Sequence, residues 1–137
     1  MMRVQEFVNT HAPTLRWDST LQDAVDKLDL YQVTLLPILD ESDAVQGIIT
    51  ERTVFRIFYP DNPSQPQSSA YALAQTPITQ WMQPNPPVLN EHAPITEAVE
   101  RMQQTGLDTL PVHGDGKFIG TIRLIDCCQA LIEESAP

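Results

Sequence analysis

Apolar residues recur at i, i+3, i+4 and i+7 in two segments of the chain, a spacing that places them on one face of a helix. The two sets of four are Leu21, Ala24, Val25 and Leu28, and Ile95, Ala98, Val99 and Met102. We therefore predict two equivalent helices with these faces buried. Ser19 and Gln22 predict a capping box at the start of the first helix. Pro94 suits the first turn of the second.

Strand-like segments surround each predicted helix. A Pro-containing extended segment precedes it, at 12–15 and 86–89, and a hairpin follows it, at 34–49 and 109–122. The first strand of each hairpin holds a proline, which predicts a short strand, an edge strand, or a proline at the beginning of the strand. A final helix is predicted at 52–58 and at 125–132. Each half thus has the order β-α-β-β-α, and the fold class is α/β (α+β), with two pseudo-symmetric units.

The two halves are an internal repeat. A shift of 74 positions places Pro13 on Pro87 and Leu36 on Leu110, and a shift of 73 places Gly47 on Gly120. Two copies predict a closed pseudo-symmetric pair with clefts between equivalent surfaces. We predict a first repeat at 1–59, a linker at 60–77, a second repeat at 78–133 and a tail at 134–137. Within the linker, 60–69 is Pro-rich and 70–76 is a candidate short helix.

Composition excludes several function classes. The net charge of -10 argues against nonspecific nucleic-acid binding, which needs clustered Lys and Arg. The adjacent Cys127 and Cys128 make no disulfide framework, so we expect a reducing, cytoplasmic location. The start of the chain lacks the apolar run of a signal peptide, and no segment reaches the length of a membrane span.

Candidate chemistry along the chain is sparse. No nucleophile motif, paired carboxylates or phosphate-binding glycine loop indicates an enzyme. The three histidines, His11, His92 and His113, are scattered, so we predict neither a metal site nor a catalytic cluster. Cys127 and Cys128 align with Val54 and Phe55 and are interpreted as small core residues.

Motifs in both halves resemble those of a tandem pair of cystathionine β-synthase (CBS) domains. They are the runs from Ser19 to Leu28, Leu35 to Ile38 and Gly47 to Arg52, and those from Pro94 to Met102, Thr109 to Val112 and Gly120 to Ile122. The resemblance implies two repeats, each a small sheet packed on two helices. It also implies a small-ligand-sensing regulatory module that weakly binds an adenine nucleotide or adenosyl ligand in the cleft between the repeats.

The resemblance implies no required cofactor, and its candidate ligands are AMP, ADP, ATP and S-adenosylmethionine. It further implies a homodimer that acts on a separate regulated protein, without nucleic acid or membrane. The apolar residues expected at the dimer interface are Phe55, Phe58, Tyr59, Cys128 and Leu131. The alternative function is a protein-interaction or dimerisation module with vestigial ligand sites.

The ligand-binding positions also follow from the resemblance. The first-half set is Val8, His11, Pro13, Val33, Thr34, Leu35, Thr50 and Thr53, and the second-half set is Met82, Asn85, Pro87, Leu107, Asp108, Thr109, Arg123 and Asp126. The family favours a hydroxyl residue followed three positions later by Asp, which accepts hydrogen bonds from ribose. The first half keeps only the hydroxyl, at Thr50, and the second half only the carboxylate, at Asp126.

The first-half site is expected to bind better, because none of its residues places a carboxylate facing the phosphates of a ligand. In the second-half site, Asp108 is expected near the phosphate path, and Arg123 stands in place of the hydroxyl. Structural alternatives remain open at three of these positions. Thr50 is also a suitable helix N-cap. Asp126 also suits the first turn of a helix, where it favours the dipole. Arg123 is interpreted as a solvated or salt-bridged side chain rather than a ligand group.

Overall fold

The computed structural model describes residues 1–60 and 69–137, so residues 61–68 of the predicted linker lie outside the described residues. The first half contains a 3-10 turn (Val4–Phe7), followed by β1 (Leu15–Arg16), α1 (Leu21–Tyr31), β2 (Leu35–Leu39), β3 (Val45–Thr50) and α2 (Glu51–Phe58). The second half begins with α3 (Ala70–Ala74) and a 3-10 turn (Ile78–Gln80). It continues with β4 (Gln83–Pro84), β5 (Leu89–Asn90), α4 (Ile95–Thr105), β6 (Thr109–Gly114), β7 (Lys117–Arg123) and α5 (Leu124–Ser135).

The predicted α/β class and the repeated element order are confirmed. The helical faces are buried as the periodicity predicts, at Leu21, Ala24 and Leu28 in α1 and at Ile95, Ala98 and Met102 in α4. The remaining two residues of the pattern, Val25 and Val99, are only partly buried. The short helix predicted at 70–76 is present as α3.

The predicted helix starts are each displaced by one residue. The N-cap of α1 is Thr20, whose hydroxyl accepts the Asp23 N–H at 3.3 Å, while the Asp23 carboxylate accepts the Thr20 N–H at 2.8 Å. The capping box predicted for Ser19 and Gln22 is therefore wrong. Pro94 is the N-cap of α4, with extended backbone, and does not lie in its first turn.

The proline-containing strands are central in their sheets, so the edge-strand alternative of the prediction is wrong. The first-half sheet has the order β1-β2-β3-β4 and the second-half sheet has the order β5-β6-β7. The prolines are tolerated because the parallel neighbours are only two residues long. β1 pairs with Ile38 and Leu39, and β5 pairs with Val112 and His113, so Pro37 and Pro111 lie just before these ladders begin.

The chain divides into two compact units that do not coincide with the two halves of the sequence. The unit that contains Pro13–Glu41 and Gln46–Pro86 is called the first-repeat unit. The unit that contains Met1–Ala12, Ser42–Val45 and Pro87–Pro137 is called the second-repeat unit. Each unit therefore includes the apolar segment that begins the other repeat. Ile78 is fully buried in the core of the first-repeat unit, and Val4 is fully buried in that of the second.

Equivalent backbone hydrogen bonds attach the two exchanged segments. In the first-repeat unit, the Ile78 N–H donates to the Ser19 carbonyl at 2.8 Å, and the Leu21 N–H donates to the Thr76 carbonyl at 3.0 Å. In the second-repeat unit, the Val4 N–H donates to the Ala93 carbonyl at 2.8 Å, and the Ile95 N–H donates to the Met2 carbonyl at 3.1 Å. These hydrogen bonds join residues at equivalent positions of the internal repeat, so the two exchanged segments are attached in the same way.

Two equivalent glycines let the exchanged segments lie directly against the neighbouring strand. A Cβ atom at Gly47 would lie 2.9 Å from the Gln83 carbonyl oxygen and would overlap the Met82 side chain. A Cβ atom at Gly120 would overlap the Asn9 carbonyl oxygen. Both positions need glycine for this close backbone approach. Among the described residues, none of the helices has the length and apolar content that crossing a membrane requires.

We predict that Ile78→Ala lowers the free energy of unfolding by about 2–5 kcal/mol, because it leaves a cavity where the exchanged segment enters the core. Thr79→Ala is the matched control, since the neighbouring Thr79 is exposed on the same turn. Its effect should stay within about 0.5 kcal/mol. Urea unfolding followed by circular dichroism measures both. Equal, small effects of the two substitutions would show that this segment does not hold the unit together.

Candidate functional site

In the first-repeat unit, the start of α2 lies against the start of β2. The Glu51 N–H, in the first turn of α2, donates to the Thr34 carbonyl at 2.9 Å. This bond brings Thr34 to the N-terminal end of α2, where Thr50 is the N-cap. Three of the predicted site residues, Thr34, Thr50 and Thr53, are thereby gathered at one strand–helix junction.

The hydroxyls of Thr50 and Thr53 are paired with each other. The Thr50 oxygen accepts the Thr53 N–H at 3.1 Å, and the Thr50 hydroxyl donates to the Thr53 hydroxyl at 3.0 Å. The N-cap interpretation of Thr50 is therefore confirmed. Because the Thr50 hydroxyl donates its hydrogen to Thr53, the Thr53 hydroxyl keeps its own hydrogen for donation to another group. Both side chains are partly exposed.

Strand β4 adds two predicted residues to this unit. It runs antiparallel to β3, with Pro84 opposite Gly47 and Gln83 opposite Ile48. Met82 packs against the core of the first-repeat unit, and Asn85 follows with a left-handed backbone (φ 49°). The sequence grouped Met82 and Asn85 with the second-half site, whereas the structure groups them with Thr34 and Thr50.

The converse exchange applies to Val8 and His11, which belong to the second-repeat unit. The intervening Asn9 exchanges two backbone hydrogen bonds with Thr121, of 2.8 and 3.2 Å. Val8 packs against the second core, and the Asn9 side chain accepts the His11 N–H at 3.0 Å. Val8 and His11 therefore accompany Asp108 and Arg123 rather than Thr34.

The second-repeat unit repeats the strand–helix junction with different side chains. The Leu124 N–H donates to the Asp108 carbonyl at 2.8 Å, as Glu51 does to Thr34. Arg123, at the N-cap of α5, pairs with Asp126 through two bonds, of 2.9 Å from Nη2 and 3.2 Å from Nε. The Arg123 N–H also donates to the same carboxylate at 2.9 Å.

The ion pair engages the Asp126 carboxylate, which the sequence analysis assigned to ribose binding. Hydrogen bonding to Asp126 and its charge raise the pKa of the Arg123 guanidinium, which stays charged. The ion-paired interpretation of Arg123 is thus confirmed, and so is the position of Asp126 in the first turn of a helix. A ligand that uses Asp126 must first displace Arg123.

The remaining predicted residues lie around the two junctions. Leu35 is buried, and Pro13 and Val33 are partly buried in the first-repeat unit. The partly buried members of the second-repeat unit are Pro87, Leu107 and Thr109. The Thr109 hydroxyl donates to the Asp108 carboxylate at 3.2 Å, which orients that acid beside β6.

A cleft of about 540 Å³ opens in the first-repeat unit between α1 and the start of α2. It shares Val33 and Thr34 with the predicted set, and its other lining residues are Val25, Asp26, Leu28, Asp29, Gln32, Glu51 and Val54. Three of these are carboxylates and none is cationic. The three acids, Asp26, Asp29 and Glu51, come from exposed positions of α1 and α2.

Cys127 has no character of a nucleophile. Burial raises its pKa to about 11, with smaller contributions from Asp126 and Cys128, so it stays a neutral thiol near pH 7. It lies in the second core, as predicted, whereas Cys128 is exposed. Within residues 1–60 and 69–137, no three His, Cys, Asp or Glu side chains are arranged to hold a metal ion.

Two units of hairpin and helices, each completed by a segment from the other repeat, define a tandem domain pair. The model of the CBS domain matches residues 4–59 and 78–133, and the chain therefore belongs to the CBS domain family. The resemblance found in the sequence is confirmed.

Relatives of known sequence and structure agree with this assignment. A CBS domain-containing protein of Dictyostelium discoideum is 27% identical, and the match covers 98% of this chain and 94% of that protein. An A-adding tRNA nucleotidyltransferase of Aquifex aeolicus is 24% identical, and there the match covers 97% of this chain and 15% of the enzyme.

Solved structures share the fold over the whole chain. A candidate acetoin utilization protein (AcuB) of Vibrio cholerae has a TM-score of 0.78 and 25% identity, and the match covers 100% of this chain and 99% of that one. The protein CBSX2, in complex with AMP, has a TM-score of 0.80 at 19% identity, with coverage of 99% and 100%. The domain pair of MJ0100, in complex with 5'-methylthioadenosine and S-adenosyl-L-methionine, has a TM-score of 0.76 at 19% identity, with coverage of 98% and 99%.

Proposed function

We propose that this protein is a ligand-sensing regulatory module that weakly binds an adenosine-containing ligand at the start of α2 in the first-repeat unit. The observation that carries the proposal is the junction of Thr34, Thr50 and Thr53, held by the Glu51–Thr34 hydrogen bond. CBS domain pairs of the same fold bind AMP in one protein and adenosyl ligands in another. The proposed role is regulatory and not catalytic.

The junction offers suitable groups for a ribose. The Thr53 hydroxyl donates and accepts hydrogen bonds, and Asn85, carried beside β3 by β4, adds an amide. An ionised Asp would accept from both ribose hydroxyls, whereas Thr53 offers one short side chain. Losing a charge-assisted hydrogen bond costs roughly 1.5–3 kcal/mol, which corresponds to about ten- to a hundredfold in affinity. The proposed binding is weak for this reason.

Charge around the junction ranks the candidate ligands. The neighbouring cleft is lined by Asp26, Asp29 and Glu51 and by no cation, so a chain of phosphates directed there is repelled. S-adenosylmethionine carries a positive sulfonium, and methylthioadenosine carries no charge on its 5' group. We therefore rank these two ligands above AMP, and AMP above ADP and ATP.

We predict that Thr53→Asp strengthens AMP binding about ten- to a hundredfold, because the carboxylate accepts from the ribose hydroxyls. Thr53→Asn is the matched control, since it has the same shape without the charge, and it should gain less. Thr50→Ala should weaken binding, while Thr50→Ser keeps the hydroxyl and the cap. Isothermal calorimetry measures each variant. If the wild type and Thr53→Asp give no heat with any of the adenosine ligands, the first-repeat site is vestigial.

The second-repeat junction yields an independent prediction. Arg123→Thr supplies the missing hydroxyl and releases the Asp126 carboxylate from its ion pair. We expect a second binding step for AMP in the calorimetric titration of this variant. Arg123→Thr combined with Asp126→Asn is the control and should lose that step. An unchanged stoichiometry in Arg123→Thr would mean that the Arg123–Asp126 pair is not what closes this site.

The second candidate function is a dimerisation and interaction module. The observations that favour it are the closed Arg123–Asp126 pair and the exposed apolar side chains of α2 and α5, which include Phe55, Tyr59, Ile125, Leu131 and Ile132. Apolar patches of this kind mark interaction surfaces. Phe58, which the sequence placed at the interface, is partly buried against the first-repeat core and contributes less.

We propose a homodimer formed through these helices, acting on a separate regulated protein in both candidate functions. Light scattering at high protein concentration should therefore give twice the mass of one chain. Ile132→Glu, which places a charge in the exposed apolar surface, should shift the mass toward that of a single chain. Exposed Gln104→Glu, on α4, is a control that should leave the mass unchanged. A single-chain mass for the wild type at all concentrations would contradict the homodimer.

A further inference from the structure

The cleft between α1 and the start of α2 has an apolar floor. The floor residues are buried or partly buried, and they are Val25, Leu28, Val33 and Val54. The cleft volume of about 540 Å³ lies within the range of small-molecule sites, roughly 300–1,000 Å³. All of the lining residues belong to the first-repeat unit, so that unit alone forms the cleft.

The charged lining residues of the cleft are three exposed acids, Asp26, Asp29 and Glu51. We call them the cleft acids. None of them forms an ion pair with a residue in the described ranges 1–60 and 69–137. The cleft therefore concentrates negative charge above an apolar surface, and that charge is complementary to a cation.

The cations that neighbour the cleft acids in sequence are engaged elsewhere. The Lys27 Nζ donates to the Thr14 carbonyl at 2.6 Å. The Arg52 guanidinium lies 5.9 Å from the centre of the Phe55 ring. Neither side chain lines the cleft, so neither neutralises its acids.

Neutral amides are the side-chain partners of two cleft acids. The Gln22 amide donates to the Asp26 carboxylate at 2.9 Å, and the Gln32 amide donates to the Asp29 carboxylate at 3.5 Å. An amide leaves the charge of a carboxylate in place, and an ionised carboxylate has about four acceptor sites. Both acids can therefore accept further hydrogen bonds from a ligand.

The second repeat keeps the apolar floor but loses two of the three acids. Shifts of 74 and 73 place Val99, Met102, Leu107 and Cys127 at the floor positions. The same shifts place Glu100, Gln103 and Leu124 at the positions of the cleft acids. The shared fold thus accepts neutral residues at two of these positions, so packing of the helices does not require the charge.

The arrangement of the acids favours an extended cation over a metal ion. Among the residues that the structure describes, no three His, Cys, Asp or Glu side chains are arranged to hold a metal ion. Asp26 and Asp29 are three residues apart on α1, which places them on one face of that helix, whereas Glu51 belongs to α2. A cation that reaches both helices needs charges separated along its length, and the floor suits methylene groups.

We propose that this cleft binds a linear polyamine, a flexible methylene chain that carries two or more ammonium groups. The methylene chain packs on the apolar floor. The ammonium groups donate hydrogen bonds to the acids of α1 on one side and to Glu51 on the other. This ligand class differs from the adenosine-containing ligands proposed above, and the inference does not rest on that proposal.

A titration of the ¹⁵N-labelled protein with spermidine at physiological salt tests the site. We expect saturable amide shifts at residues 26–32 and 51–54, which include the cleft acids. Glu133 and Glu134, exposed acids at the end of α5, should change little. Shifts of similar size at these two residues, or no saturable shifts at the cleft, would overturn the inference, because a chain of net charge -10 attracts any polyamine diffusely.

Removal of single charges tests the role of the cleft acids. Asp29→Asn and Glu51→Gln should each weaken spermidine binding about two- to fivefold, and the doubly substituted chain should lose more than either. Asp18→Asn is the matched control, since it removes the same charge at an exposed position outside the cleft. It should leave the affinity unchanged. Equal weakening by all three substitutions, or full affinity in the doubly substituted chain, would contradict a site at the cleft.

Two other cations decide whether the polyamine is the right occupant. Magnesium chloride should not reproduce the spermidine shifts, and N-acetyl-lysine amide, which has one ammonium group, should bind more weakly. Equal binding of magnesium would overturn the inference in favour of a point-charge site, and equal binding of the lysine amide in favour of a lysine side chain of a partner protein. A chain that binds spermidine at the cleft but no adenosine ligand would uphold this inference and refute the adenosine proposal.

Discussion

Close backbone contact between a strand and the segment exchanged from the other repeat is the constraint on which the rest of the structure depends. Gly47 and Gly120 permit this contact, since a Cβ atom at either position would meet a carbonyl oxygen. The same exchange buries Ile78 in the core of the first-repeat unit and Val4 in the core of the second-repeat unit. It also sets the composition of the candidate sites, because β4 brings Asn85 to the unit that contains Thr50, and Asn9 brings His11 to the unit that contains Arg123.

The two strand–helix junctions share a backbone and differ in their electrostatics. The Thr50–Thr53 pair places two uncharged hydroxyls at the start of α2, whereas an ion pair between Arg123 and Asp126 lies at the start of α5. An ionised pair that is already hydrogen-bonded gains little by exchanging its partner for a ribose hydroxyl. The two junctions have therefore diverged in chemistry, with a pair of hydroxyls at the first and an ion pair at the second. The hydroxyl pair supports the proposed ligand-binding function, and the ion pair supports the alternative proposal of an interaction module.

Features encoded locally were predictable from the sequence, and features set by distant contacts were not. The apolar spacing in α1 and α4 was sufficient for the burial of Leu21 and Ile95, because helical periodicity is a local property. The caps were displaced by one residue, since Ser19 and Thr20 are both good N-caps and tertiary pairing at Leu21 decides between them. Pattern alone carries no information on which unit Met82 or Val8 joins. The acids of the cleft, Asp26, Asp29 and Glu51, were missed because each belongs to an ordinary exposed helix position.

The central claim is that an adenosine-containing ligand binds at the start of α2 in the first-repeat unit. Its most direct test is a titration of the ¹⁵N-labelled protein with S-adenosylmethionine, followed by amide chemical shifts. The account predicts progressive shifts concentrated at Thr34, at Glu51 to Thr53 and at Asn85, with little change at Leu124 to Asp126. Shifts centred on α5, or a spectrum unchanged by S-adenosylmethionine, methylthioadenosine and AMP, would contradict the claim.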